Sequence, residues 1–129
     1  MKKVWINGCF DVLHRGHLEL FKYAKMQGDY LIVGIDSDNR VRKLKGDHRP
    51  INSAEDRKMF LECINFVDDV VVFNSDEELI ENIKNFNPDY MIIGSDYENK
   101  KVIGSEHAKK LIFFERITGY STTKILEKK

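Results

Sequence analysis

Gly8-Cys9-Phe10-Asp11-Val12-Leu13-His14-Arg15-Gly16-His17 stands where a short apolar run gives way to a helical pattern, and this junction decides the fold. Upstream, Lys3-Val4-Trp5-Ile6-Asn7 reads as a buried first strand closed by a glycine. Downstream, Leu18, Leu20, Phe21, Ala24 and Met26 fit one face of a helix ending near Gly28, with Lys22 and Lys25 late in it. His14 and His17 therefore fall at a helix N-terminus, where unpaired backbone N–H groups and the positive end of the helix dipole favour an anion. Gly16 between them lacks the Cβ that would keep a phosphate from the backbone. Two imidazoles three residues apart can each donate an N–H to phosphate oxygens as charge builds up during transfer. Such a pair alone also suits a surface or metal-binding role. No second Cys/His pair lies at zinc-ligand spacing, and the strand before and helix after favour phosphate.

The rest of the chain repeats the alternation. Strand-like runs recur at Tyr30–Ile35, Val70–Phe73, Tyr90–Gly94 and Leu111–Phe114. Ser53-Ala54-Glu55-Asp56 opens a helix expected to carry Met59, Phe60 and Cys63 on its apolar side. Ser75-Asp76-Glu77-Glu78 matches a capping box, with Leu79, Ile80, Ile83 and Phe86 inward and Asn87-Pro88 as the stop. A further short helix is expected over Ser105–Lys110. This order predicts an α/β fold: one Rossmann-like domain over residues 1–129, its five-stranded parallel sheet covered by helices on both faces. Ligands of such sheets bind beyond the C-terminal ends of the strands.

Unusual residues collect in those segments. Asp36-Ser37-Asp38 leads into Arg40–Arg49, a cationic loop with five Lys/Arg, which reads as a solvated charge run or as a polyphosphate clamp beside the histidines. Arg57 follows at the start of the next helix, suited to an anion or to a carboxylate partner. Ser95-Asp96-Tyr97 offers a carboxylate and an aromatic to a sugar, a base or a metal-bound phosphate, although Asp in such turns often caps the loop. Gly119-Tyr120-Ser121-Thr122-Thr123 leads into a final helix whose N-terminus can be capped by Ser121 or Thr122 and hold phosphate as well.

Composition narrows the classes. A formal net charge of zero over 129 residues supplies no global field for nucleic acid or anionic membrane, so an anion must be held by a local cluster. Met1-Lys2-Lys3 runs into a strand without a signal-peptide core, and no apolar run approaches membrane-spanning length, which predicts a cytoplasmic protein. Cys9 and Cys63 are too few for a disulfide scaffold, and Cys9 reads as a small buried side chain, since no thiolate-activating triad accompanies it.

Gly-Cys-Phe-Asp-x-Leu-His-x-Gly-His and the closing Gly-x-Ser-Thr-Thr-Lys-Ile together resemble the cytidylyltransferase-like nucleotidyltransferases over nearly the whole chain. Two subgroups compete. Asn7–Asp11, Arg42-Lys43-Leu44-Lys45-Gly46-Asp47 with Arg49-Pro50-Ile51-Asn52, and Gly94-Ser95-Asp96-Tyr97 followed by Ile103-Gly104-Ser105 are similar to the adenylyltransferase domain of bacterial ADP-heptose synthases, often fused to a sugar kinase. Arg116-x-x-Gly119-x-Ser121-Thr122-Thr123 and the chain length are similar to glycerol-3-phosphate cytidylyltransferases, although Thr118 stands where those enzymes carry a Glu.

The resemblance implies transfer of a nucleoside monophosphate from a nucleoside triphosphate, ATP or CTP, to a sugar or polyol phosphate with release of pyrophosphate. It implies phosphate and transition-state contacts for His14 and His17, with Lys45 and Arg116 completing the catalytic set. Gly8, Cys9, Phe10, Gly16, Asp96, Gly119, Ser121 and Thr122 would bind the nucleotide. Asp11, Asp36, Lys43, Arg49, Arg57 and Tyr97 would bind the acceptor. Mg²⁺ would be carried mainly by phosphates, with Asp11 or Asp96 as protein ligands, in a homodimer that binds neither nucleic acid nor membrane. A non-catalytic nucleotide-binding module would be expected to show a damaged motif, whereas His14, His17, Lys45 and Ser121 are all present. No residue looks like an activated nucleophile, so direct in-line attack by the acceptor phosphate is expected.

Overall fold

A computed structural model describes residues 1–94 and 101–115. In chain order the elements are β1 (Lys3–Gly8), α1 (Arg15–Met26), β2 (Tyr30–Asp36), α2 (Asp38–Lys45), α3 (Ala54–Glu62), β3 (Asp69–Phe73), α4 (Asp76–Phe86), β4 (Tyr90–Gly94) and β5 (Lys110–Phe114), with a 3-10 turn at Ser105–His107. The five strands form one sheet in the order β3-β2-β1-β4-β5, and every pairing is parallel. The chain thus winds outward from β1 through β2 to β3, then crosses back to β4 on the other side of β1. That reversal opens a crevice between the C-terminal ends of β1 and β4, the usual ligand position in such sheets.

Strand alternation feeds two cores. Val4, Ile6, Leu31, Val33, Ile35 and Ile92 face Phe21 and Ala24 of α1 and Leu61 of α3. Trp5, Phe73 and Met91 face Leu79 and Ile83 of α4 with Val102 from the β4–β5 connection. Helices therefore cover both faces, as the sequence predicts. Close approach sets one position in the middle of the sheet: a Cβ on Gly34 would lie 2.6 Å from Cζ2 of Trp5, whose ring is buried and cannot retreat.

Four expectations are corrected. The Arg40–Arg49 segment is not a loop throughout, because Ser37 accepts a hydrogen bond from the Arg40 amide and starts α2. Basic residues then fill the last turn, where the helix dipole favours them, and Gly46 at φ 99° ends it. In α3 the inward residues are Arg57 and Leu61, while Met59, Phe60 and Cys63 are exposed, since the face is chosen by the buried guanidinium. In α1, Leu18 and Met26 are exposed and only Phe21 and Ala24 are fully buried. The short helix expected at Ser105–Lys110 is a three-residue turn followed by β5. Ser53 and Ser75 cap α3 and α4 as the sequence predicts, and Asn87 in the left-handed region ends α4.

At the N-terminal edge of the sheet one device recurs. Asp29, Asp68 and Asp89, each just before a strand or at its threshold, accept hydrogen bonds from the amides of Lys2, Leu31 and Lys3. Each also donates its own amide to the carbonyl of that same residue. At Asp89 the Lys3 amide and then the Lys109 ammonium depress the pKa to about 2.

Two outcomes follow. Gly34→Ala is expected to lower stability by about 1–3 kcal/mol through overpacking against Trp5, read as a drop in the urea midpoint at constant slope. A depressed carboxylate pKa contributes stability that is complete above its ordinary value of 3.8 and disappears as pH falls toward 2. Asp89→Asn should therefore lower the melting temperature at neutral pH and converge on the wild type as pH approaches 2, followed by calorimetry across that window.

Candidate functional site

The site begins with a strained turn. Past Gly8 the chain places Phe10 at φ 50° and Val12 at φ 48°, left-handed positions that cost side-chain-bearing residues about 1–3 kcal/mol each. Several groups wedge the turn in place. The Phe10 ring packs so close to Gly8 that a Cβ there would lie 3.1 Å from it, and it meets Phe21 and His17 edge-on at 5.0 and 5.3 Å. The buried Asp11 carboxylate accepts the amides of Ile51 at 2.6 Å and Asn52 at 2.9 Å and faces Arg49 Nε at 3.5 Å.

The turn delivers His14 to the N-cap of α1, so that Gly16 and His17 occupy its first turn. The His14 amide donates to His17 Nδ1 at 3.2 Å, and the two rings stack at 3.8 Å with 21° between planes. Because Nδ1 of His17 accepts, a neutral ring carries its hydrogen on Nε2. The pair is thereby oriented before any ligand arrives, at the end of a helix whose amides favour an anion.

Around this pair lies a cleft of about 400 Å³. Gly8, Cys9, Phe10 and Gly16 line it beside the histidines. Ile93, Val102, Ile103 and Phe114 give it an apolar wall of the kind that suits a flat base or a sugar face. Asp36, Arg40, Leu44 and Lys45 bring the α2 side to the same cleft. Cys9 is a thiol rather than a nucleophile: burial raises its pKa, and the nearby Lys45 and Arg57 only partly offset this.

Several sequence-predicted site residues are placed elsewhere. Arg57, expected on the acceptor or a carboxylate, is 1% exposed and fully engaged: Nε donates to the Asn52 carbonyl, Nη1 to the carbonyls of Cys9 and Asp36, and Nη2 to Asp38 Oδ1. It is a strut beneath the site and has no free face for a ligand. Asp11, expected on the acceptor or on Mg²⁺, spends its carboxylate on the loop at 51–52. Arg49 faces Asp11 and does not line the cleft, and Lys43 is exposed on α2, also away from the lining. Asp96, Tyr97, Arg116, Gly119, Ser121 and Thr122 lie outside the described residues. The sequence reading missed Asn7, Arg40 and Lys101 as lining residues. Arg40 was legible only as one charge in a run, and no local pattern singles out Lys101.

Among the described residues no group of three or more His, Cys, Asp or Glu could hold a metal ion. Of the carboxylates, Asp36 lines the cleft, and its Oδ1 is already taken by Arg40. These residues do not form a protein cage for a divalent cation. Among them, too, no helix is long and apolar enough to cross a membrane.

Comparison with known proteins agrees with this geometry. The Cytidylyltransferase-like family matches residues 5–128. The bifunctional protein HldE of Helicobacter pylori (strain P12) is 51% identical over 127 residues, covering 98% of this chain and 27% of that protein. HldE of Campylobacter fetus subsp. fetus (strain 82-40) is 46% identical over 125 residues, covering 97% and 27%. The chain thus spans about a quarter of the length of the curated relatives it matches. Among solved structures, the lipopolysaccharide core biosynthesis protein from Thermoplasma volcanium GSS1 shares the fold, with a TM-score of 0.75 at 24% identity over 91% of this chain and 98% of that one. A pantothenate synthetase from Thermus thermophilus shares it more distantly, at a TM-score of 0.63 and 14% identity over 91% and 56%. With an oriented His14/His17 pair at a helix N-terminus, a cleft at the sheet's reversal point and a family match from β1 onward, the chain belongs to the cytidylyltransferase-like family of nucleotidyltransferases.

Proposed function

We propose that this chain transfers a nucleoside monophosphate from a nucleoside triphosphate to a sugar phosphate, with ATP and heptose 1-phosphate as the preferred pair. The observation that carries the transfer reaction is the His14/His17 stack, locked at the α1 N-cap and facing a cleft with a basic α2 side. About half identity to HldE proteins across nearly the whole chain favours the heptose acceptor. The sequence Arg116-x-x-Gly119-x-Ser121-Thr122 favours a second reading, CTP with glycerol 3-phosphate.

In the proposed mechanism an acceptor phosphate oxygen attacks the α-phosphorus in line, and pyrophosphate leaves. Phosphoryl-type transfer chiefly needs alignment and neutralisation of charge. His14, His17 and the amides of the first turn of α1 hold phosphate oxygens, and Lys45 adds a cation from α2. The protonated Cys9 thiol argues against a covalent intermediate. Gly8, Cys9, Phe10 and Gly16 bring backbone close to the nucleotide, and Asp96, Arg116, Gly119, Ser121 and Thr122 complete its site from segments outside the described residues. Asp36 and Tyr97 serve the acceptor. Mg²⁺ accompanying the triphosphate would be carried mainly by the phosphates and would supply neutralisation of their charge. The same resemblance supports a cytoplasmic homodimer, and sedimentation of the purified protein tests the dimer directly.

Pyrophosphate release assayed with ATP, CTP, GTP and UTP against heptose 1-phosphate and glycerol 3-phosphate should be fastest for ATP with heptose 1-phosphate. A CTP and glycerol 3-phosphate preference would replace that reading with the second. His14→Ala and His17→Ala should each lower turnover by about two to three orders of magnitude, the scale of losing one preorganised donor. Near-wild-type rates in both would remove the histidines from the mechanism.

A further inference from the structure

At the C-terminal end of β2, charged residues from three elements form a chain in which the proposed transfer gives a part to Asp36 alone. Arg40, in the first turn of α2, donates from Nε to Asp36 Oδ1 at 2.8 Å and from Nη2 to Asp76 Oδ1 at 2.6 Å. Its guanidinium also lies 5.3 Å over the Phe73 ring, so two ion pairs and a ring fix its position. Asp36 ends β2 and lines the cleft. Asp76 opens α4, is about half exposed and does not line the cleft. Burial alone would weaken the charge on Arg40, but the two carboxylates outweigh it and raise its pKa.

The arrangement has a chemical consequence at Asp36. One carboxylate oxygen is clamped by Arg40, and among the described residues Oδ2 has no hydrogen-bond partner. A carboxylate fixed in orientation at a cleft wall accepts hydrogen bonds from hydroxyl groups. A sugar phosphate brings several hydroxyls, whereas glycerol 3-phosphate brings two. Asp76 holds the same guanidinium through Nη2.

We propose that Arg40 is a positioning residue which, backed by Asp76, holds the Asp36 carboxylate to receive acceptor hydroxyls, so that this three-residue chain favours polyhydroxylated acceptors. This rests on the sugar-phosphate reading given under Proposed function and adds the device that selects the acceptor.

Asp76→Asn tests it from outside the cleft. KM for heptose 1-phosphate should rise about two- to fivefold, the scale of one partly exposed ion pair, while kcat and the KM for ATP stay within a factor of about two. KM for glycerol 3-phosphate should move less, Asp76→Glu should restore the wild-type value, and Arg40→Gln should raise the sugar-phosphate KM further. Melting temperatures of all variants separate these effects from unfolding, and the Asp76 pair decides the matter if Arg40→Gln does not fold. A fall in kcat at constant KM, an equal rise in both substrates' KM, or failure of Asp76→Glu to rescue would make the chain a structural tie and overturn the proposal. Absence of wild-type turnover with every sugar phosphate would instead overturn the function reading, so the two failures are distinguishable.

Discussion

One buried guanidinium governs the geometry of the site. Arg57 reaches from α3 to three carbonyls and a carboxylate, joining the turn after β1, the end of β2, the loop before α3 and the start of α2. A charge removed from water is tolerable only when its donors are met, and here Nε, Nη1 and Nη2 all find acceptors at 2.8–3.0 Å. The strained turn at Phe10 and Val12 persists because this strut and the Asp11 carboxylate over-determine it. His14 and His17 take their orientation from that turn, and α2, which carries Lys45 to the cleft, starts from the same strut.

Much of this order was legible in the sequence, for physical reasons. Apolar runs of four to six residues separated by capped helices lead to a parallel sheet because a strand buried on both faces must be covered twice. Ser53 and Ser75 announced their helices through capping, and Asn87-Pro88 announced a stop. The His14/His17 pair could be placed at a helix N-terminus because β1 and α1 flank it so tightly.

What escaped the reading shares a cause. The helix α2 buries only Val41, so its apolar period is nearly silent and its charges read as a loop. The α3 face was inverted because an inward arginine is invisible to hydrophobic periodicity, which assigned Met59 and Phe60 to the core. The resemblance placed Arg57 and Asp11 on the acceptor, and for Arg57 the other reading, a carboxylate partner, is met by Asp38: a charged residue near a site looks alike in sequence whether it meets substrate or carries the backbone beneath it. Partners thirty or forty residues away, such as Asp76 for Arg40 and Ile51 for Asp11, decide between these roles, and only the fold brings them together.

The aspartates at the opposite edge of the sheet act on the cleft without approaching it. Asp29, Asp68 and Asp89 grip Lys2 just before β1, Leu31 in β2 and Lys3 in β1 through side chain and main chain together, which leaves the parallel ladders one alignment to adopt. From Lys3 opposite Tyr30 the pairing runs unbroken to Gly8 opposite Ile35. A slip of one residue would carry the strand ends past each other by about 3.3 Å, roughly the length of a hydrogen bond between a phosphate oxygen and its donor. These clamps therefore act as the zero mark of a ruler: set at one end of each strand, they fix where the reading falls at the other, where the cleft opens.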